Sequence, residues 1–376
     1  MLERCRSSVE LLPHDVVELI LERLPVKSLL RLRSVSKTWK LTIQTQRFQE
    51  RQLSHRRRSR DPDILFVHYA HNDGCLPTDA RRFMFGSSIA YTVCFPTSCT
   101  SVCQNTCDGL ICFYTKYVPS VCVVVVNPAT RWHQSLPLAR IQQLCIVRDA
   151  KKSHSSYHKL GFGKDKLRGT YKPVFLYNSS EFGLDNVTTC EVFDFSMNTW
   201  RYVHPASPYR IIVRHAPLYV DGSLYWLTDC EETKVLSFDL HTETFQVICK
   251  APFSHVHDPF RFTMCILDNC LSVSESNWPT QDIWLLDSSG GNINTWKKMF
   301  TIDISKPLRW CGGTGSSLLT IAVLEKNKLL IRGRCHRMRP LVIHDLHTKS
   351  YELVFTDNKP FVSVCHFESL FSALSN

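Results

Sequence analysis

One offset recurs along this chain and limits its fold more than any other feature. A turn followed by a short apolar strand appears as Asp108-Gly109-Leu110-Ile111-Cys112, Asp221-Gly222-Ser223-Leu224-Tyr225-Trp226, Asp268-Asn269-Cys270-Leu271 and Asn327-Lys328-Leu329-Leu330-Ile331. Each is followed, 18 or 19 residues after its first residue, by an Asn or Asp that ends another apolar strand and precedes a polar turn and an aromatic. These pairs are Asn127 with Trp132, Asp239 with Phe245, Asp287 with Trp296, and Asp345 with Tyr351; Asp194 with Trp200 is a fifth copy. Neighbouring copies stand 45 to 67 residues apart, so one strand–turn–strand unit is used several times. A single such sheet cannot bury both faces. Stacking several radially buries them and protects the edges, which is a β-propeller. Asp63-Ile64-Leu65-Phe66-Val67 with Asp79 and Phe83 offers a further unit, so a propeller-like domain of about six blades is expected over residues 63–376.

The first sixth of the chain reads differently. Residues 1–60 carry 14 Lys/Arg against 6 Asp/Glu, whereas residues 61–376 carry 31 against 28. Most of the net charge of +11 therefore sits at one end, and the near-neutral remainder argues against a broad nucleic-acid footprint. Leu12-Pro13-His14-Asp15 opens a helix, because proline costs nothing where its missing N–H has no partner and Asp15 suits the positive end of the dipole. Val16, Val17, Ile20 and Leu24 recur at helical spacing, with Leu19 and Leu21 widening the stripe beyond one face. Pro25 stops this helix, a second covers Val26 to Arg33, and Ser36 caps a third that carries Trp39, Ile43 and Phe48. The expected class is α + all-β: a tail at 1–10, a helical unit at 11–54, a basic linker at 55–62, then the propeller. Composition leaves two roles open for the surplus apolar residues. Either they pack on the following domain, or Leu12, Val17, Ile20, Leu21, Leu29 and Leu30 form a patch that awaits a partner.

The run LPHDVVELILERLPVKSLLRLRSVSKTWKLTI at residues 12–43 resembles an F-box. Its landmarks are Leu12-Pro13, Leu24-Pro25, Lys27-Ser28-Leu29, and Val35-Ser36-Lys37 with Trp39. The later stretches CDGLICFY (107–114), NPATRWHQSLP (127–137), LGFGKDKLRGTYKPV (160–174), CEVFDFSMNTWRYV (190–203) and KVLSFDLHTETFQVI (234–248) resemble the kelch-like F-box-associated domain of plant F-box proteins. The resemblance departs at Pro173 and at the Ser289-Gly290-Gly291 insertion, which put loop geometry in question. It implies docking on a Skp-type adaptor and, through it, on a cullin–RING ubiquitin ligase. By the same resemblance Leu12, Pro13, Val17, Ile20, Leu21, Leu24, Pro25, Leu29 and Leu30 are the adaptor-contacting residues, and Trp39 fixes helix packing.

Other candidates for chemistry are weaker. Seventeen cysteines form no Cys-x-x-Cys pair, and Cys99, Cys103, Cys107 and Cys112 lack the paired knuckles of a zinc site, so reduced thiols used as small apolar residues are expected. His255-Val256-His257 has no third ligand nearby. Neither Gly161-Phe162-Gly163-Lys164-Asp165 nor the glycine run from Cys311 to Ser316 has the order of a phosphate-binding loop. Arg56-Arg57-Arg58-Ser59-Arg60 reads as a solvated linker, with a nuclear-import or nucleic-acid patch as the alternative. Trp132, Trp200 and Trp296 fall at the repeated aromatic position and belong to the blades. Trp226, Trp278, Trp284 and Trp310 include the candidates for a binding surface.

The longest apolar run, Val121 to Val126, is far too short to cross a bilayer, and Met1 to Arg6 opens no apolar leader. A nuclear and/or cytoplasmic protein without cofactor, metal or membrane partner is therefore expected. Its expected role is the substrate receptor of a ubiquitin ligase, not itself an enzyme, holding an unknown target protein on the propeller. The alternatives are an adaptor-bound scaffold without ubiquitin transfer and a propeller enzyme.

Overall fold

A computed structural model describes residues 12–59, 63–68, 78–83, 91–95, 101–103, 106–114, 122–149, 159–253, 258–287, 294–307, 318–325, 327–333, 340–356 and 361–373. Residues 1–10, Arg60, Cys99, the His255-Val256-His257 run, Ser289-Gly290-Gly291, Trp310 and the 311–316 glycine run lie outside the described residues.

Four helices come first: α1 (His14–Glu22), α2 (Val26–Leu32), α3 (Lys37–Gln44) and α4 (Gln46–Ser59). Pro13 and Pro25 are the N-cap residues of α1 and α2, each with an extended ψ. The Pro13 carbonyl accepts from the N–H groups of Val16 and Val17, and that of Pro25 from Ser28 and Leu29, so each proline starts a helix. Ser36 stands at the N-cap of α3 without a side-chain bond. Phe48 does not belong to α3 as the spacing suggested. Thr45 adopts extended backbone, and its hydroxyl accepts from Phe48 N at 3.3 Å, opening α4 instead. The expected linker at 55–62 is also corrected, because α4 runs on through residue 59 and Arg56 is buried.

Among the described residues, six four-stranded antiparallel sheets follow. Blade 2 holds β4 (Ser101–Val102), β5 (Ile111–Tyr114), β6 (Val124–Asn127) and β7 (Trp132–Ser135). Blade 3 holds β8 (Lys159–Lys164), β9 (Tyr171–Asn178), β10 (Thr188–Asp194) and β11 (Thr199–Val203). Blade 4 holds β12 (Leu218–Val220), β13 (Ser223–Leu227), β14 (Lys234–Asp239) and β15 (Phe245–Lys250). Blade 5 holds β16 (Phe262–Leu267), β17 (Cys270–Asn277), β18 (Thr280–Asp287) and β19 (Thr295–Asp303). Blade 6 holds β20 (Leu319–Leu324), β21 (Lys328–Arg332), β22 (Leu341–Asp345) and β23 (Tyr351–Phe355).

Blade 1 is composite. Its β1 (Asp63–His68), β2 (Thr78–Phe83) and β3 (Tyr91–Phe95) are joined by β24 (Phe361–His366), which pairs along β1 from Asp63↔His366 to His68↔Phe361. That pairing closes the ring. The alternation of β1 shows why its apolar run is continuous: Ile64 and Phe66 pack with Leu324 and Leu330 of blade 6, while Leu65 and Val67 pack with Ile111 and Val126 of blade 2.

The recurring landmarks are two kinds of hairpin. At Asp108-Gly109, Asp221-Gly222 and Asp268-Asn269 both residues have positive φ, the twist that a two-residue turn needs to join antiparallel strands. In blade 6 the positive φ falls earlier, on Glu325, and Asn327 closes the turn, its N–H donating to the Leu324 carbonyl at 3.2 Å. The second hairpin is an Asx turn repeated four times. The side-chain oxygens of Asn127, Asp194, Asp239 and Asp345 each accept from the backbone N–H groups two and three residues on. The residue four on then takes positive φ in every copy, at Arg131, Asn198, Glu243 and Lys349.

The aromatic that follows stitches blades together. Trp200 Nε1 donates to the Pro137 carbonyl at 2.8 Å, Trp296 Nε1 to Lys250 at 2.7 Å and Tyr351 Oη to Asp303 at 2.6 Å, each reaching toward the preceding blade. The glycines of β8 serve close approach between blades. A Cβ at Gly161 would lie 2.9 Å from Leu224, and one at Gly163 would run into Tyr219 and Leu240.

The Thr348 backbone N–H holds the Asp345 carboxyl below its ordinary pKa, as the Ser196 hydroxyl does for Asp194. A carboxylate whose folded pKa is depressed stabilises the fold above its unfolded pKa, and that advantage is lost as pH falls through the folded value. Thermal melts of the wild type and Asp345→Asn should therefore differ near neutrality and converge below about pH 4. A difference that stays constant down to about pH 3 would show that the ionised carboxylate contributes nothing there.

Candidate functional site

The helical unit has two apolar faces, and only one of them is spent internally. Val17 and Leu21 of α1, Val26 and Leu29 of α2, Ile43 of α3 and Phe48 of α4 form a buried core, with Leu24, Leu30, Leu32 and Trp39 packed against it. The other face is a row on α1 and the residue Leu12 before it. Leu12, Val16, Leu19 and Ile20 keep 39–45 % of their surface exposed, and Pro13 and Pro25 are exposed beside them. The residues expected from the sequence to meet a partner are thus divided. Leu12, Pro13, Ile20 and Pro25 face solvent, and Leu24 and Leu30 are half-buried. Val17, Leu21 and Leu29 are corrected: their side chains hold the helices together and are closed to any partner in this arrangement. Val16 and Leu19, absent from the expected set, complete the outer row at i, i+3 and i+4 spacing.

Arg51 from α4 reaches back to α1, 3.2 Å from Glu18 and 2.8 Å from Glu22, and fixes the row's backing. Gln52 Nε2 donates to the Leu24 carbonyl at 3.3 Å.

The helices stand on one end of the ring. Arg57 lies 3.2 Å from Asp108 in the β4–β5 turn, and Lys164, which also reaches Asp108 at 3.1 Å, is 4.0 Å from Glu50. Ala129 in the β6–β7 turn packs on the helical core. All these groups belong to turns between first and second or third and fourth strands. The long connections, 136–158, 204–217, 251–261 and 304–318, leave from the opposite end. The first of these carries a helix, α5 (Arg140–Asp149), whose N-terminal N–H groups at Arg140 and Ile141 bind the buried Glu191 carboxylate at 2.8 and 2.9 Å. Burial pushes Glu191 up, and Tyr177 Oη donates a third bond at 2.9 Å, so this carboxylate is occupied as a helix cap.

At that opposite end an aromatic pair breaks the surface. Trp278, in the β17–β18 turn, keeps 52 % of its area and Phe260 keeps 45 %. The Ser276 N–H bonds the Arg261 carbonyl at 2.8 Å, which continues the β16–β17 ladder and brings Phe260 alongside Asn277 and Trp278. The Arg214 guanidinium lies 4.8 Å from the Phe260 ring centroid, and Arg261 Nε bonds the Ser276 carbonyl at 2.9 Å. Of the other tryptophans singled out, Trp226 is fully buried and Trp284 packs on Phe253.

Cys103, Cys107 and Cys112 lie in the core between blades 2 and 3. Among the described residues no group of three or more His, Cys, Asp and Glu could hold a metal ion. No helix among them is long and apolar enough to cross a membrane.

Two family models match the chain. Residues 9–51 match the F-box domain, and residues 88–373 match the F-box associated beta propeller domain. The chain is 59 % identical over 290 residues to F-box protein At1g11270 of Arabidopsis thaliana, covering 77 % of this chain and 91 % of that one. It is 48 % identical to F-box/LRR-repeat/kelch-repeat protein At1g09650 of the same plant, covering 98 % of each. To F-box protein At2g34280 it is 46 % identical, covering 97 % of this chain and 100 % of the other.

The inner and outer faces of the helical unit should separate cleanly in a denaturation experiment on the whole chain. Leu29→Ala, which empties a fully buried position, is expected to cost about 2–5 kcal/mol. Ile20→Ala, on the outer row, should stay within about 0.5 kcal/mol of wild type. An Ile20→Ala cost as large as that of Leu29→Ala would mean that the outer row is also internal core.

Proposed function

Since the chain belongs to the F-box proteins that carry an F-box-associated β-propeller, we propose that it is the target-recognition subunit of a Skp–cullin–F-box ubiquitin ligase, acting in the nucleus and/or cytoplasm. The observation that carries the reading is the outer row of α1, an apolar strip left open on helices whose own core is already filled. In this reading Leu12, Pro13, Val16, Leu19, Ile20 and Pro25 meet the Skp-type adaptor. The propeller presents its target at the end opposite the helices, with Trp278 and Phe260 as apolar anchors and Arg214 and Arg261 beside them; aromatic and arginine side chains dominate interface energetics.

Catalysis is then by proximity. The receptor supplies no nucleophile and no proton transfer; it holds target lysines near a charged conjugating enzyme, raising their effective concentration.

Co-expression with a Skp-type adaptor tests the first half. The wild type should elute with adaptor as one complex, and Leu12→Ala with Ile20→Ala should weaken binding by roughly 30-fold or more, as loss of about 2 kcal/mol at a hot spot implies. Adaptor binding unchanged in that double variant would overturn the assignment of the row. Trp278→Ala tests the second half: ubiquitination of captured targets should fall while adaptor affinity stays at the wild-type value. Targets captured and ubiquitinated equally well by Trp278→Ala would move the target site elsewhere.

A further inference from the structure

Among the described residues, the buried core of the F-box takes in one residue from outside its four helices. Leu370 is buried among Val17, Leu21, Val26, Leu29, Ile43 and Phe48. It belongs to residues 367–373, which leave β24 and cross from the ring onto the helices. The crossing is held at several points. His366 Nε2 contacts the Gly109 carbonyl at 3.1 Å, and Ser369 Oγ donates to the Asp108 carbonyl at 2.5 Å. Glu368 lies 3.7 Å from Arg56 of α4, with both side chains more than nine-tenths buried. Phe371 packs beneath Lys164, whose Nζ is 5.0 Å from the ring centroid.

Asn127 shows that the crossing is built into the blade. Among the described residues the four turns between third and fourth strands, and the Asp165 turn between β8 and β9, share one Asx geometry, and all but Asn127 use aspartate. Asn127 does what aspartate does, accepting from Ala129 N at 2.9 Å and Thr130 N at 3.3 Å. Its amide then does what aspartate cannot: Nδ2 donates to the Ser369 carbonyl at 3.0 Å and the Phe371 carbonyl at 2.8 Å. Those two bonds bracket Leu370 and aim it at the helices. Gly109, at φ +78°, leaves room for the passage, since a Cβ there would stand 2.5 Å from Ser369 Oγ and 2.6 Å from the Phe367 carbonyl oxygen.

We propose that residues 367–373 complete the adaptor-binding unit, with Asn127, Glu368 and Leu370 as positioning residues for a surface they do not touch. The outer row of α1 is ordered only while Leu370 fills the core behind it, so the F-box of this chain is not an independent module. The same strap fixes the angle between the helices and the ring. The inference rests on the adaptor reading for its affinity readout, and on the fold alone for the rest.

Asn127→Asp is the discriminating variant. It keeps the turn's acceptor oxygen but sets a carboxylate oxygen against two carbonyls, while Asp194→Asn is the matched control in blade 3. Hydrogen exchange on the full chain without adaptor should rise in α1 to α3 of Asn127→Asp and stay at wild-type levels in blades 4 to 6. Its adaptor affinity should fall about tenfold, as expected if only a tenth of the molecules hold a competent F-box. Leu370→Ala, which leaves blade 2 untouched, should reproduce both effects even if Asn127→Asp disturbs its own blade; Leu370→Met should retain wild-type protection and affinity. Asp194→Asn should change neither readout.

Wild-type exchange in α1 to α3 for both Asn127→Asp and Leu370→Ala would overturn the proposal, as would their wild-type adaptor affinity. A wild-type chain that ignores the adaptor would sink the adaptor reading alone, and the exchange comparison would still decide the strap.

Discussion

The pairing of β24 with β1 is the contact on which the rest of this molecule depends. Blades 2 to 6 are each built from consecutive strands joined by turns or short connections, so their ladders are local. Blade 1 is not. Its inner strand arrives from the far end of the chain, and until Asp63 meets His366 the apolar faces of β1 have no closed ring to lie in. A contact of that sequence separation is entropically expensive, and it is repaid by two interfaces at once, toward blade 6 and toward blade 2. The residues that follow β24 extend the same closure to the helices. The F-box begins the described chain, yet its core is complete only when Leu370 is delivered by the strand that shuts the propeller.

Repetition supplies the geometry and exceptions supply the connections. The Asx turn needs only an acceptor oxygen at its first residue, so aspartate and asparagine are interchangeable as far as the hairpin is concerned. Where the turn faces solvent, at Asp194 and Asp345, an aspartate also gains from its charge against backbone N–H groups. Where it faces two carbonyls, only the amide satisfies both sides, and Asn127 is found. The repeated aromatic follows the same logic. Trp200, Trp296 and Tyr351 have a polar hydrogen to give and use it on a carbonyl of the preceding blade, whereas Phe245 has none and packs on Phe238, 4.6 Å between centroids.

Much of this was legible beforehand, and the parts that were not share a cause. Turn residues with positive φ and apolar strands of fixed length leave local signatures, so the hairpins at Asp108, Asp221 and Asp268 and the helices begun by Pro13 and Pro25 could be read directly. In blade 6 the recurring spacing points to Asn327, which does close the turn, but the positive φ sits on Glu325, a residue with no turn signature of its own. The two stripes of α1 are equally apolar, and nothing local says which one faces its own core. The resemblance therefore groups Val17 and Leu21 with Leu12 and Ile20, and leaves out Val16 and Leu19. Arg56 is the sharpest case. In a run of arginines it reads as solvated linker, whereas the ion pair with Glu368, carried in by the strap, offsets a buried charge there.

The strap also bears on how the two ends of the ring cooperate. In the proposed role, the helices fix the receptor to the ligase and the opposite end holds the target, so the distance between them is set by a stack of four-stranded sheets whose interfaces are filled by buried aliphatic and aromatic side chains. A ring of this kind bends little. If the helices hung from a flexible linker, that stiffness would be wasted, because the target could sample a wide volume and its effective concentration near the conjugating enzyme would fall. Ion pairs from Arg57 to Asp108 and from Arg56 to Glu368, together with Leu370 in the helical core, remove that freedom at the one joint where the chain would otherwise supply it. Rigidity of the joint, and not of the propeller alone, is what would let this receptor present particular lysines of its target.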